Sequence, residues 1–475
     1  IVDHRERREM IKKQIEELAQ RTGGKIFGDE KLLDIVNWLV EYPVALSGGF
    51  KKEYLALPKE LLIMVMRYHQ KYFALVNDKN ELLPNFITVS NMKVDKPQVI
   101  IEGNEKVLTA RLNDAQFLYA ADKKIVLEKR VKNLESVVFQ EKLGSMKQKT
   151  ERLVKVAEFL ASEIDSKLKK PAGRAALLCK ADLVSGMVGE FPELQGVMGG
   201  YYAEISGELK EVSQAIFEHY LPRFANDDLP KTKIGSIISL ADKIDGLAGY
   251  FAVGLIPTGA EDPYALRRQA LGIIRIIWNN DFEISLEKLI DKALASYGKI
   301  AKNKNKVKKE IINFLAGRLE NLLETKKVQA NFIAGVTALG VDDLSAVKAR
   351  IEALNWAKTQ ENFRQFQSAL KRVNNILGEK AFPKKVNLKL LKEPAEKDLY
   401  KSINAEQKKI EKALKEKKYR EALEIMIPMS QLINNLFDKV LVMDKSKKVK
   451  ENRMALIGKI YGFASRVADF KKLAA

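Results

Sequence analysis

From Gly144 almost to the C-terminus, apolar residues return at the three-to-four-residue spacing of an α-helix. Leu266, Ala270, Ile273, Ile274 and Ile277 fall at i, i+4, i+7, i+8 and i+11, one continuous stripe. A chain patterned this way buries its apolar area by packing helix on helix. Breaks in the pattern set the element ends. Ile256-Pro257-Thr258-Gly259 is a sharp stop, and Asp262 is placed as an N-cap with Pro263 at the first helical position. The Lys-rich stretch KIAKNKNKVKKE at 299–310 reads as a break or an exposed helix start. A last helical unit begins near Glu361, and within it Asn404 and Gln407 form a capping-box variant ahead of Ile410 and Leu414.

The first 145 residues are mixed. Residues 1–22 read as a charged amphipathic helix with Met10, Ile11, Ile15, Leu18 and Ala19 near helical spacing. Residues 36–63 give a helix, a break at Pro43, a turn at Gly48-Gly49 and a second helix entering at Pro58. Residues 69–91 read as a hairpin, Tyr72–Val76 and Phe86–Val89 flanking the turn Asn77-Asp78-Lys79-Asn80; this is the one clear β signal. The 475 residues suffice for about three domains. With 46% hydrophobic and 30% charged residues the chain can bury cores. No apolar run reaches the ~18 residues a membrane helix needs, so no membrane association is expected. The start, IVDHRERREM, lacks an initiator Met and an apolar signal core, which reads as a fragment missing its N-terminal part. A single cysteine, Cys179, excludes an internal disulfide framework and a cysteine zinc site, and fits a reducing, cytoplasmic setting.

Charge narrows the partner. Lys and Arg total 82 against 62 Asp and Glu, and from Lys371 to Ala475 there are 26 basic and 13 acidic residues. A concentrated positive field attracts polyanions, so nucleic acid leads and a merely solubilising surface is the alternative. In Arg364, Lys371, Arg372, Asn374 and Asn375, cations and amides interleave with Phe366 and Val373, and Lys447, Lys448 and Arg453 follow. Such residues would hold phosphates and read unpaired bases, or form the basic exterior of a helical bundle. Arg267, Arg268 and Arg275 lie off the apolar stripe; Arg268 and Arg275 share a face with Gly272, where a phosphate backbone could approach, unless they pair with another helix. Gly199-Gly200 before Tyr201-Tyr202 would present rings to a base or form a packed corner. Catalytic signatures are missing: His4, His69 and His219 are far apart, and there is no HExxH, no phosphate loop and no GxGxxG. MDKSKK at 443–448 stands without the companion element of a class I synthetase and reads as a solvated basic loop.

Residues 146–280 resemble the HD superfamily, whose metal centre uses a His, a His-Asp pair and a later Asp. Lys149 stands near the first His position, Ala181-Asp182 replaces His-Asp, and Asp242 matches the last Asp. Imidazoles supply most of such a site's affinity for transition metals, so Asp182 and Asp242 mark a vestigial pocket with no metal expected. The plainer role for both is to cap or salt-bridge neighbouring helices.

Longer blocks carry a broader resemblance. HQKYFALVNDKNELLPNFITVSN (69–91), GNEKVLTARLNDAQFLY (103–119), VVFQEKLGSMKQKTER (137–152), RAALLCKADLVSGMVGEFPELQGVMGGYYA (174–203) and ADKIDGLAGYFAVGLIPTGAEDPYALRRQALGIIRII (241–277) occur in order. Together they resemble the β subunit of the bacterial heterotetrameric glycyl-tRNA synthetase, from about Val36 to near the end. The resemblance implies a mainly α, multidomain chain: 1–145 the remainder of an α+β tRNA-contacting region, 146–280 a degenerate HD-like helical domain, 281–360 a helical linker, and 361–475 an anticodon-binding helical domain like that of arginyl-tRNA synthetase. It implies tRNA(Gly) and an α subunit as partners in an α2β2 assembly. No cofactor is expected on this chain; ATP and Mg2+ chemistry belongs to the α subunit. Two rivals remain at this point: an HD-type metal-dependent phosphohydrolase, and a non-catalytic RNA-binding scaffold.

Overall fold

A computed structural model gives the fold and describes residues 1–93, 95–259, 261–378 and 385–473. Residues 379–384 and 474–475 of the expected anticodon-binding segment, and Ala260 of the fifth block, lie outside the described residues. The chain divides into two compact units, one made of Ile1–Val154, Lys170–Tyr220 and Ile234–Ile238, the other of Lys155–Lys169, Leu221–Lys233 and Ser239–Ala475. No helix among the described residues is long and apolar enough to cross a membrane.

The first unit opens on an antiparallel sheet of four strands, β1 (Lys25–Ile26), β2 (Val44–Gly49), β3 (Phe73–Val76) and β4 (Leu82–Ser90), in the order β1-β3-β4-β2. The expected hairpin is β3–β4, closed by a turn in which Asn77 N–H donates to the Glu81 carbonyl and Asn80 adopts φ 62°. One face of the sheet is covered by α1 (His4–Arg21) and α2 (Glu30–Leu39). Ile11, Ile15, Ala19, Leu32, Leu33 and Val36 meet Phe73, Leu75 and Ile87 there. A long helix, α3 (Pro97–Asp122), packs on β2. Gly48-Gly49 is not a turn but the end of β2, paired with Phe86 and Asn85. The reason is steric: a Cβ on Gly48 would lie 2.5 Å from the Phe86 ring, so glycine lets that ring cross the strand.

In the rest of this unit, Asp122 at the end of α3 gathers a buried polar cluster. It accepts from Arg130 (2.8 Å), from Gly186 and Met187 N–H, and from the Tyr202 hydroxyl (2.9 Å). Two short helices follow, α4 (Val197–Ile205) and α5 (Lys210–Glu218), packed on each other.

The second unit is helical. In α6 (Leu266–Asn280) the five stripe residues are all fully buried. The helix starts three residues later than the N-cap reading placed it, because Asp262 to Ala265 form a turn and Ala265 takes φ 56°. Asp262 still caps: its carboxylate accepts from Leu266 N–H (2.8 Å) and Arg267 N–H (3.0 Å). Next come α7 (Leu286–Ser296), α8 (Lys304–Thr325) and α9 (Leu344–Ala357). The Lys-rich stretch runs into α8, which seats Val307, Ile311, Leu315, Leu319 and Leu323 on one buried line.

The C-terminal bundle contains α10 (Phe363–Leu377), α11 (Pro394–Lys415), α12 (Tyr419–Met426), α13 (Ser430–Lys439) and α14 (Lys447–Ala464). Asn404 and Gln407 do not cap anything; both lie inside α11. The capping box there is Glu393 with Glu396, whose carboxylate reaches back to accept from the N–H groups of Lys392 (2.7 Å) and Glu393 (2.8 Å) ahead of Pro394. A Pro at the first helical position starts the helix eleven residues earlier than the polar pair suggested.

Candidate nucleic-acid interface

The spacing that makes α10 amphipathic also builds its outer face. Phe363, Phe366, Ala369, Leu370, Val373 and Leu377 are buried, and α10 packs with α13 and α14. Arg364, Lys371, Arg372 and Asn375 fall at i, i+7, i+8 and i+11 on the opposite side, and all four are exposed. Arg372 is held rather than free-swinging: its guanidinium lies 4.5 Å from the Phe437 ring centroid and 4.0 Å from Asp438 on α13. Phe437 beneath that guanidinium was missed in the sequence, since the two are 65 positions apart. Lys447 and Lys448 are exposed in the first turn of α14, where the positive end of the helix adds to their field. The MDKSKK segment is thus partly loop and partly helix start.

Other candidates are consumed by the fold. Arg453 is 6% exposed and bridges Glu396 (2.5 Å) and Asp444 (2.8 Å), with a further bond to the Leu441 carbonyl. Asn374 is buried at 8% exposure and cannot present its amide to a base. Arg267 closes the turn before α6 by donating to the Glu261 (3.1 Å) and Gly259 (2.6 Å) carbonyls. Arg275 donates to the carbonyls of Ala225 and Asp227. The face shared with Gly272 is covered by protein: a Cβ there would meet Lys243 at 2.8 Å and Pro222 at 3.3 Å, leaving a phosphate no approach. Of those three arginines Arg268 is exposed. The paired tyrosines form a packed corner. Tyr202 is 2% exposed and bonds Asp122, and Tyr201 donates to Glu60 at 2.7 Å; burial, and after it this bond, raise the Tyr201 phenol pKa.

The two aspartates expected to mark a vestigial pocket differ in burial. Asp182 is fully buried, and its Oδ2 accepts from Gly196 N–H (2.6 Å) and Gly199 N–H (2.9 Å), capping the start of α4. Desolvation pushes its carboxyl up to about 6, against the opposing pull of those two N–H groups. Asp242 is half-buried on the helix Lys233–Ala252. Lys149 is buried with its ammonium 4.5 Å from the Phe139 ring centroid. Among the described residues no three His, Cys, Asp or Glu side chains are grouped as a metal ion would require. A buried pair the sequence did not reveal is Lys180–His219, with Nζ 3.0 Å from Nε2 and Nδ1 2.6 Å from the Ile216 carbonyl. Nδ1 therefore donates and Nε2 accepts from the ammonium.

Comparison with known proteins bears directly on this arrangement. The family model described as glycyl-tRNA synthetase beta subunit matches residues 1–338. The chain belongs to the glycyl-tRNA synthetase beta subunit family. A second model, the DALR anticodon binding domain, matches residues 366–461, so Lys371, Arg372 and Asn375 of the α10 face lie within an anticodon-binding domain and Arg364 just ahead of the match. The chain is 44% identical over its whole length to the glycine–tRNA ligase beta subunit of Geotalea daltonii, spanning 69% of that protein. It is 44% identical to the glycine–tRNA ligase beta subunit of Clostridioides difficile and 41% identical to that of Syntrophus aciditrophicus, again over the whole chain and 69% of each relative. As a glycyl-tRNA synthetase beta subunit, the chain is part of a ligase, and its C-terminal bundle is the domain type that meets tRNA.

Proposed function

We propose that this chain binds tRNA(Gly) and presents its acceptor end to an α subunit, within an α2β2 assembly in the cytoplasm. Glycine activation with ATP and Mg2+ takes place on the α subunit, and this chain supplies recognition without a catalytic centre of its own. The observation that carries the reading is the exposed row Arg364, Lys371, Arg372 and Asn375 on α10; the last three lie inside the anticodon-binding match and Arg364 two residues ahead of it. Cations in such a row hold phosphates, and the amide and the stacked guanidinium reach splayed loop bases. The HD-type phosphohydrolase loses ground because Lys149 and Ala181 stand where its imidazoles would be, and among the described residues no three His, Cys, Asp or Glu side chains are grouped for a metal ion.

Replacing Arg364, Lys371 and Arg372 together with Gln tests this. We expect binding of tRNA(Gly) to fall by at least about tenfold, at roughly 1 kcal/mol or more per base or phosphate contact. Unchanged affinity, measured by filter binding with the fold verified by circular dichroism, would remove α10 from the interface.

A further inference from the structure

The Lys-rich start of α8 lies outside the anticodon-binding match, and nothing above gives it a role. Residues 299–309 hold six lysines and no carboxylate. Two of the six have acidic neighbours: Lys308 lies 2.9 Å from Asp291 and 3.8 Å from Glu287, and Lys306 lies 3.8 Å from Glu310. Lys299, Lys302, Lys304 and Lys309 are exposed. The buried line from Val307 to Leu323 fixes the helix, so Lys304 and Lys309 sit on a rigid element, with Lys299 and Lys302 in the segment that leads into it.

The surface beside them is concave. A groove of about 440 Å³ is lined by Glu287, Asn305, Lys308, Lys309, Ile312 and Asn313. An adjoining groove of about 330 Å³ shares Asn305, Lys309 and Asn313. Those three residues fall at i, i+4 and i+8, giving one row of amide, ammonium, amide along the helix. Glu287 at the rim is offset by Lys308. A protein partner would need an apolar centre, as specific interfaces have. This row has none. Lysines as point charges, with amides between them for ribose hydroxyls and phosphate oxygens, suit a sugar–phosphate backbone.

We propose that this face of α8 binds the backbone of RNA without reading its sequence, adding affinity at a second place on the tRNA. The assignment rests on the tRNA-binding reading given above.

The test compares the 475-residue chain with a variant carrying Lys302→Gln, Lys304→Gln, Lys306→Gln and Lys309→Gln. Binding to tRNA(Gly) and to a non-cognate tRNA is titrated from about 50 to 200 mM salt, where phosphate contacts show as counterion release. The variant should lose about three to four from the slope of log affinity against log salt, at about 0.7–0.9 for each of the four lysines. Its affinity at the low-salt end should fall at least tenfold for both tRNAs by the same factor, and Lys→Arg at the four positions should keep the wild-type slope. An unchanged slope in the Gln variant overturns the assignment. So does an equal loss in a charge-matched variant with the exposed Lys167, Lys170, Lys210 and Lys231, outside the expected tRNA-contacting segments, changed to Gln, since that would be a net-charge effect. Competition by polyglutamate that the Gln variant loses, with tRNA binding intact, would assign the face to an acidic polypeptide instead and overturn it. A wild-type chain that binds no tRNA overturns both this assignment and the reading it rests on, whereas undiminished binding by the variant overturns this assignment alone.

Discussion

Asp182, which the sequence placed at an HD-like metal-ligand position, serves as a structural cap. Burial raises its pKa from the ordinary 3.8 to about 6, while the Gly196 and Gly199 N–H groups favour the charged form. Between those two pH values the folded chain keeps a proton that the unfolded chain has released. Its contribution to stability is therefore fully present below about 3.8 and is lost as pH rises through about 6. Asp182→Asn removes that titration and retains an oxygen for the two N–H groups. The stability of the variant relative to wild type, from thermal unfolding, should shift in favour of Asn between about pH 4 and pH 7. A difference that stays constant across that range would contradict the raised pKa. Two aspartates in a helical setting could be read from the sequence, but not what Asp182 touches, because Gly196 and Gly199 reach it through the fold. The same holds for Arg453: a cation among lysines looks like an RNA contact until Glu396, 57 positions away, takes it.

At the scale of elements, periodicity was the dependable signal. The α6 stripe, the β3–β4 hairpin and the start of α10 all lie where apolar spacing and turn residues placed them. What failed was punctuation. Gly48-Gly49 resembled a turn because its strand role depends on a ring arriving from β4. Asn404 and Gln407 resembled a cap because local polarity was legible while the stronger start at Pro394 was passed over. The Arg453 bridge joins elements, linking α14 to α11 through Glu396, which is fully buried. Arg453→Met keeps the volume but leaves that carboxylate unpaired in the interior. We expect a loss of about 3–5 kcal/mol in denaturant unfolding. A change within about 0.5 kcal/mol would show that the pair does not hold the two helices.

At the scale of the molecule, the family and its class were legible from long blocks, whereas the working surface was not. Eleven basic or amide positions looked equivalent in the sequence. The structure leaves seven exposed, Arg268, Arg364, Lys371, Arg372, Asn375, Lys447 and Lys448, and four of these share the outer face of α10. The C-terminal charge excess supplies affinity for any polyanion, and discrimination has to come from the few groups that meet bases. The most direct measurement is binding of this chain to tRNA(Gly), to tRNA(Gly) with its anticodon replaced, and to a non-cognate tRNA, at about 150 mM salt. A preference for tRNA(Gly) that disappears with the anticodon is the predicted result. Equal binding of all three would contradict the claim that this chain recognises tRNA(Gly) through its C-terminal domain.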